Sequence, residues 1–275
     1  MEQSRQLTHR KPSVSVIVPN LNQGQFLEEA LQSILNQPNL DIRIAVMDAG
    51  SRDESVSIIH KYESQLTYWR SERDEGQAAA INEGVKKLPN SDYICWLNAD
   101  DVFLENGLTK MVQFLESHPN DVAVYSKAYI TNVLNEVIEP YETEPFSVER
   151  LAHHCFICQP ATLIRGKIWN ELNGLNAELQ MCLDYDLWWR LSKSGVFGYL
   201  SEFTACSRDH EATKTRNNKE THFNEAFQLL KNYTGRVPLN WCLSRAAEKQ
   251  IQAPYVMRKI LEKAWASYMY IKYRF

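Results

Sequence analysis

The sequence predicts an α/β fold, a mostly parallel central sheet flanked by helices and followed by a C-terminal helical extension. Short β-branched or apolar runs alternate with stretches of helical periodicity from Val14 to Leu97. The connections have the length of crossover helices, which join parallel strands with a right-handed turn. Acidic and amide residues recur just after the runs, where open parallel sheets bind their ligands.

Residues 1–12 are polar and predict a loose arm. Residues 14–18, Val-Ser-Val-Ile-Val, end at Pro19 and read as a buried strand. Phe26, Leu27, Ala30, Leu31, Ile34 and Leu35 recur at helical spacing, and Pro38 closes that helix. Residues 42–47 form a second strand ending at Asp48, and Asp53 can cap a helix carrying Val56, Ile59 and Tyr62. A third strand over 66–69, a helix over 76–88 and a fourth strand over 93–97 complete the regular half. The second half predicts helices over 104–115, 184–193 and 220–231, and short strands over 122–125, 161–164, 197–200 and 203–206. Two further helices are expected beyond Val237, broken near Pro254. The main domain thus spans 13–216 and the extension 217–275.

The chain has 275 residues, 44% apolar and 23% charged, enough to bury a core without disulfides or a structural metal. A net charge of -4 carries no nucleic-acid footprint. Six cysteines lack framework spacing, which points to a reducing, cytoplasmic compartment. There is no signal-peptide run and no apolar stretch long enough to span a membrane. The charge is uneven. Ser244 to Phe275 holds seven basic residues against Glu248 and Glu262, a net of +5; with -4 for the whole chain, the remainder carries -9.

Residues 93–101 read Tyr-Ile-Cys-Trp-Leu-Asn-Ala-Asp-Asp, so two adjacent acids follow an apolar strand. A hard cation such as Mg²⁺ or Mn²⁺ takes oxygen ligands and keeps positions open for phosphates. A helix N-cap is the plainer use of the same acids.

Further motifs decide between them. Residues 14–27, Val-Ser-Val-Ile-Val-Pro-Asn-Leu-Asn-Gln-Gly-Gln-Phe-Leu, resemble the opening of family-two glycosyltransferases of the GT-A fold. Val-Met-Asp-Ala-Gly-Ser-Arg-Asp at 46–53 and Asp-Glu-Gly-Gln-Ala-Ala-Ala-Ile-Asn-Glu-Gly at 74–84 resemble the next two signatures. Asn98 to Asp101 stands at the DxD-type motif, with Asn98 where many members have an acid, Ser or Thr. The likeness continues through Gln-Pro-Ala-Thr at 159–162, Met-Cys-Leu-Asp-Tyr-Asp-Leu-Trp-Trp-Arg-Leu at 181–191 and His-Glu-Ala-Thr-Lys-Thr at 210–215.

The resemblance implies a Rossmann-like sheet and an inverting transfer from a nucleoside-diphosphate sugar, UDP-linked, to a hydroxyl of a glycan or lipid-linked acceptor in polysaccharide or cell-envelope synthesis. It places Pro19 and Asn20 beside the nucleotide base, and Asp48 as acceptor from the base edge. Asp74 orients ribose or base, with the Gly76 amide at a helix N-terminus suited to anions. Gln77 and Asn82 belong to the same signature; for Asn82 ligand contact and turn packing stand equal. Asp101 is the expected metal ligand and Asp100 a contact to ribose or metal. His210 is a further metal ligand or phosphate contact, though alone it reads as a surface loop residue. Arg208 and Lys214 are expected to hold the diphosphate. Asp184 stands at the position of the catalytic base and Asp186 competes with it; one of the two can merely cap a helix. Leu183 departs from the Glu-Asp pattern, which leaves open a sugar-nucleotide-binding protein without catalysis. A nucleotidyltransferase would want a basic, Gly-rich phosphate loop, and residues 19–24 lack the basic residue.

Of Trp188 and Trp189, at least one is expected in the core and the other can floor a sugar site. Cys155 and Cys158 read as buried thiols, since a lone Cys-x-x-Cys is weak as a zinc signal. The basic aromatic tail suits either a membrane surface, peripheral to the inner face of the plasma membrane, or packing on the main domain or a second subunit.

Overall fold

Strand β1 (Ser13–Asn20) lies inside the sheet of the computed structural model, which describes residues 10–248 and 255–272. Val14, Val16 and Val18 join one apolar cluster and Ile17 the other, on the opposite face. Burial on both faces is what a run without polar alternation needs. Helix α1 (Gly24–Leu35) buries Phe26, Leu27, Ala30, Leu31 and Ile34, the stripe read from the sequence. Strand β2 (Asp41–Asp48) pairs parallel with β1; after α2 (Ser55–Tyr62), β3 (Tyr68–Ser71) pairs parallel with β2. The third strand starts later than its apolar run because a 3-10 turn at Glu63–Gln65 occupies the approach. Asp53 accepts the Ser55 amide at 3.0 Å and the Gly24 amide at 2.8 Å, so it caps α2 and braces the start of α1.

Helix α3 (Gln77–Lys87) then carries the chain back across β1, where β4 (Tyr93–Trp96) pairs parallel on the other side. This reversal opens a crevice beyond the carboxyl ends of β1 and β4.

The rest of the chain extends the same sheet. It contains β5 (Val102–Phe103), α4 (Gly107–Ser117), β6 (Asp121–Thr131), β7 (Val137–Pro140), α5 (Val148–His153), β8 (Thr162–Arg165), α6 (Gly166–Glu171), α7 (Leu183–Ser194) and β9 (Val196–Arg208). Short α8 (Lys214–Asn217) precedes α9 (Lys219–Thr234), α10 (Leu239–Glu248) and α11 (Tyr255–Lys272). The strand order is β3-β2-β1-β4-β8-β6-β9-β5, with β7 on β6. Parallel ladders β1–β2, β1–β4, β2–β3 and β6–β9 carry most of the paired residues; β8 and β5 pair antiparallel.

Two expectations need correction. The strands at 197–200 and 203–206 are one strand, β9. Opposite β6, Leu200 pairs with Ser126 and Phe203 with Lys127, so Ser201 and Glu202 bulge out without ending the ladder. The strand at 122–125 continues as β6 to Thr131, because the buried hydroxyls of Ser126 and Thr204 bond each other and let a polar stretch cross the sheet.

Among the described residues, the extension builds no separate core. Phe227, Leu230, Cys242, Ala266 and Met269 join the cluster that holds Trp188 and Trp189 of α7. Packing on the main domain therefore accounts for one face of the tail. Both tryptophans are buried, so neither floors a sugar site. Trp188 stacks on Trp96, and Trp189 on Tyr233. The cysteines are free thiols, with Cys158 buried. No helix among the described residues is long and apolar enough to cross a membrane. Most of the expected arm (1–9) and the break near Pro254 lie outside the described residues.

Candidate functional site

The crevice at the strand ends is a cleft of about 680 Å³. Pro19, Asn20, Asp74, Gln77, Asp100, Asp101, Asp184, Arg208 and Lys214 all line it. Five stretches far apart in sequence meet there because β1 and β4 end side by side while α7, the end of β9 and the loop into α8 close over them.

Asp48 lies behind this surface, fully buried. Its carboxylate accepts from Asn20 Nδ2, from the amides of Gly50 and Ser51, and from the hydroxyls of Ser51 and Ser71. Burial pushes its pKa up, but these donors outweigh burial and hold it below the usual carboxylate range. An acceptor so occupied organises the wall beside Asn20; its lone pairs do not face the cleft. Asn82 is likewise engaged: Nδ2 donates to the Leu175 carbonyl and Oδ1 accepts the Leu175 amide, both at 2.8 Å. Of its two readings, the structure has turn packing.

The acid pair sits where the chain leaves β4. Asp101 is 4% exposed and accepts from the Arg208 amide and from Asn98 Nδ2, each at 3.0 Å. Burial, then the charge of Asp100, pushes its pKa well above the carboxylate range. His210 Nε2 lies 3.0 Å from Asp100 Oδ2, with its ring buried against Phe26. His210 stands behind Asp100 and is no exposed loop residue.

Arg208 differs from expectation. Its Nε donates to the Asp100 carbonyl, Nη1 to the Val133 carbonyl and Nη2 to Glu29, and its guanidinium covers the Phe26 ring at 4.6 Å. With every branch engaged, Arg208 clamps the acidic loop to α1 and the β6–β7 turn, and is not a free charge for a diphosphate. Lys214 does reach the cleft. Its Nζ donates to Gln77 Oε1, Gln77 Nε2 donates to Asn98 Oδ1, and Asn98 Nδ2 reaches both Asp101 and Gln159. Gln159 in turn holds the Trp96 carbonyl. This amide relay spans the cleft floor. Gln159 was visible only as part of a motif, since a glutamine has no charge to mark it. Just before α3 the Gly76 amide donates to Asp74 Oδ1, so Asp74 closes a turn at the head of that helix and this amide is not open to an anion.

The two candidate bases part company. Asp184 is half-buried in the cleft wall, accepts the Tyr185 amide, and is bonded by no side chain among the described residues. Burial pushes its pKa up to about 6, against the pull of the Tyr185 amide and the Lys214 charge. Asp186 is buried away from the cleft, accepting from Arg190 Nε at 2.8 Å and from the Tyr233 hydroxyl at 2.9 Å. It ties α7 to α9.

Residues 15–167 match the family model described as Glycosyl transferase family 2. An uncharacterized glycosyltransferase of Rickettsia typhi is 26% identical over 217 residues, covering 74% of this chain and 66% of that one. The chondroitin synthase of Escherichia coli is 27% identical over 258 residues, 87% of this chain and 37% of the synthase. The chain thus spans no more than about two thirds of these relatives. Among solved structures, S. aureus TarS 1–349 in complex with UDP-GlcNAc superposes with a TM-score of 0.63 at 15% identity, covering 92% of this chain and 71% of that one. The mannosyltransferase PcManGT of Pyrobaculum calidifontis, in complex with GDP-Man and Mn²⁺, gives 0.59 at 16% identity, covering 94% and 70%. These likenesses establish the GT-A fold. With the family signature running from β1 through β8 and its acids gathered at the strand ends, the chain belongs to glycosyl transferase family 2.

Proposed function

We propose that the chain catalyses an inverting transfer of a sugar from a nucleoside-diphosphate sugar, UDP-linked, to a hydroxyl of a glycan or lipid-linked acceptor in cell-envelope polysaccharide synthesis. The observation that carries this is Asp184. It is a cleft carboxylate without a side-chain partner, in the same cleft as the Asp100–Asp101 pair. Asn20 and the backbone from Pro19 would face the base, with Asp48 holding Asn20 in place. Lys214 and Gln77 would meet the diphosphate at the cleft floor. Asp184 would then take the proton of the acceptor hydroxyl as that oxygen attacks the anomeric carbon from the side opposite the diphosphate.

A divalent cation, Mn²⁺ or Mg²⁺, fits the acid pair. Asp101 is buried next to a second carboxylate, a strain that a positive ion relieves. Asp101 would ligate directly, and Asp100 and His210 would complete or support the site. Among the described residues no three such side chains form a metal cage. The remaining ligands would be diphosphate oxygens and water. When bound, the ion would neutralise charge developing on the leaving diphosphate.

Hydrolysis of a panel of UDP- and GDP-sugars, with Mn²⁺ and with chelator, tests the proposal. UDP-sugars turning over only with metal is the expected outcome. Absence of binding and of any metal effect would sink it.

A further inference from the structure

Helix α11 carries two apolar faces, and the body of the protein covers one. Ala266 and Met269 are buried in the core cluster, with Trp265 and Tyr270 packed against it. Elsewhere on the helix, Ile260 is 63% exposed, Tyr268 59% and Ile271 63%. At 3.6 residues per turn these three fall with exposed Ala264 on one stripe, roughly opposite Met269. Exposed Lys263 flanks it on one side. Helix α10, packed on α11, adds Leu239 and Leu243, exposed one turn apart.

We infer that this face of α11 docks in the interfacial layer of an anionic bilayer and holds the cleft at the membrane surface. The charge decides for a lipid surface. Residues 244–275 carry +5 from seven basic and two acidic side chains, while the remainder of the chain carries -9. An anionic surface repels the body and attracts only this end, which fixes orientation as well as affinity. A helix with an apolar stripe, a flanking lysine and too little apolar length to span lies in the membrane plane.

The unit is also rigidly joined to the cleft. Trp241 Nε1 donates to the Ala152 carbonyl at 3.0 Å and Asn240 Nδ2 to the His153 carbonyl. The segment after that, Ile157 to Pro160, lines the cleft. The purpose of docking, access to a lipid-linked acceptor, rests on the glycosyltransferase reading; the docking itself does not.

Vesicle flotation of the full chain tests it, with phosphatidylcholine alone and mixed equally with phosphatidylglycerol. Wild type should float with the mixed vesicles and much less with phosphatidylcholine. The triple variant Ile260→Ser, Tyr268→Ser, Ile271→Ser should lose about tenfold or more of its partitioning, since three exposed apolar groups no longer enter the interface. Lys263→Glu should reduce flotation on the mixed vesicles alone. Both variants should hydrolyse donor in solution like wild type. Docking is rejected if wild type stays with the unbound fraction, or if the triple variant floats equally. It is also rejected if the triple variant only splits a wild-type dimer. Flotation intact in a wild type that hydrolyses no donor would uphold docking and reject the glycosyltransferase reading.

Discussion

At Asp184 burial works against ionisation while Lys214 works for it, and the balance leaves the carboxyl titrating at about 6. A general base must be ionised, so transfer to acceptor should fall about tenfold per pH unit below that value and level off above it. Initial rates at saturating donor from acid to neutral pH would show the inflection; a flat profile would remove Asp184 from the proton path. Asp184→Asn should leave donor binding intact and reduce transfer by about 10²–10⁴-fold. The same residue bears on stability. The unfolded chain loses this proton near the ordinary aspartate value of about 3.9, whereas the fold retains it to about 6. The folded state is thus penalised as pH rises through that window, and fully so above it. Asp184→Asn should therefore stabilise the protein at pH 8 by on the order of 1–3 kcal/mol and by nothing below about pH 4, as urea melts at both would report. The choice between Asp184 and Asp186 was not legible in the sequence. Two residues apart on a helix point about 200° apart, and only the surroundings of α7 tell which side is the cleft. Asp48 differs for another reason: the strand end it was expected at is where it stands, but five donors already fill its acceptors.

Among the elements, the first half of the fold was legible because each helix shows its buried stripe within itself and each strand is a short apolar run. The second half was not, because β6 and β9 exist through each other. Ser126 is tolerable in a buried strand only because the Thr204 hydroxyl, beyond the bulge and some eighty residues away in sequence, bonds its own. The end of β9 matters most, since Arg208 joins it to Asp100, Val133, Glu29 and Phe26. Arg208→Ala would strand buried carbonyls and release the acidic loop. It should cost about 3 kcal/mol in a denaturant melt and weaken metal-dependent donor binding, although protein groups engage every branch of the guanidinium. Arg208→Lys should recover little, because one ammonium cannot serve three directions. If Arg208→Ala keeps full stability and loses only donor affinity, the clamp is wrong and a direct diphosphate contact is right. Gly107 tests the neighbouring contact of α4 on β9. A Cβ there would stand 2.1 Å from the Thr204 carbonyl oxygen, so Gly107→Ala should destabilise by about 1–3 kcal/mol through backbone displacement.

For the whole molecule, the proposed metal site raises the question of what an ion would contribute when the protein supplies an acid pair and no cage among the described residues. An ion bound mainly by Asp101 and Asp100 keeps most of its water and gains little over bulk solution. A donor bound without the ion leaves its diphosphate near two carboxylates, one of them buried. Each partner therefore needs the other, and their effects on stability should exceed the sum of the separate ones. A ligand present at 100 times its Kd adds about 2.7 kcal/mol to the folded state, and each kcal/mol is worth roughly 2–4 °C of Tm for a chain near this size. Mn²⁺ alone should shift the melting temperature by little, UDP-sugar alone by little, and the two together by roughly 5–10 °C. Asp101→Asn should abolish the joint shift while leaving the melt of the free protein near wild type, because the amide oxygen can still accept from the Arg208 amide and the buried charge is gone. A full shift from Mn²⁺ alone would mean a complete cage exists elsewhere in the chain. A full shift from donor in the presence of chelator would mean that Lys214 and the amide relay hold the diphosphate unaided, and that the acid pair serves the ribose instead.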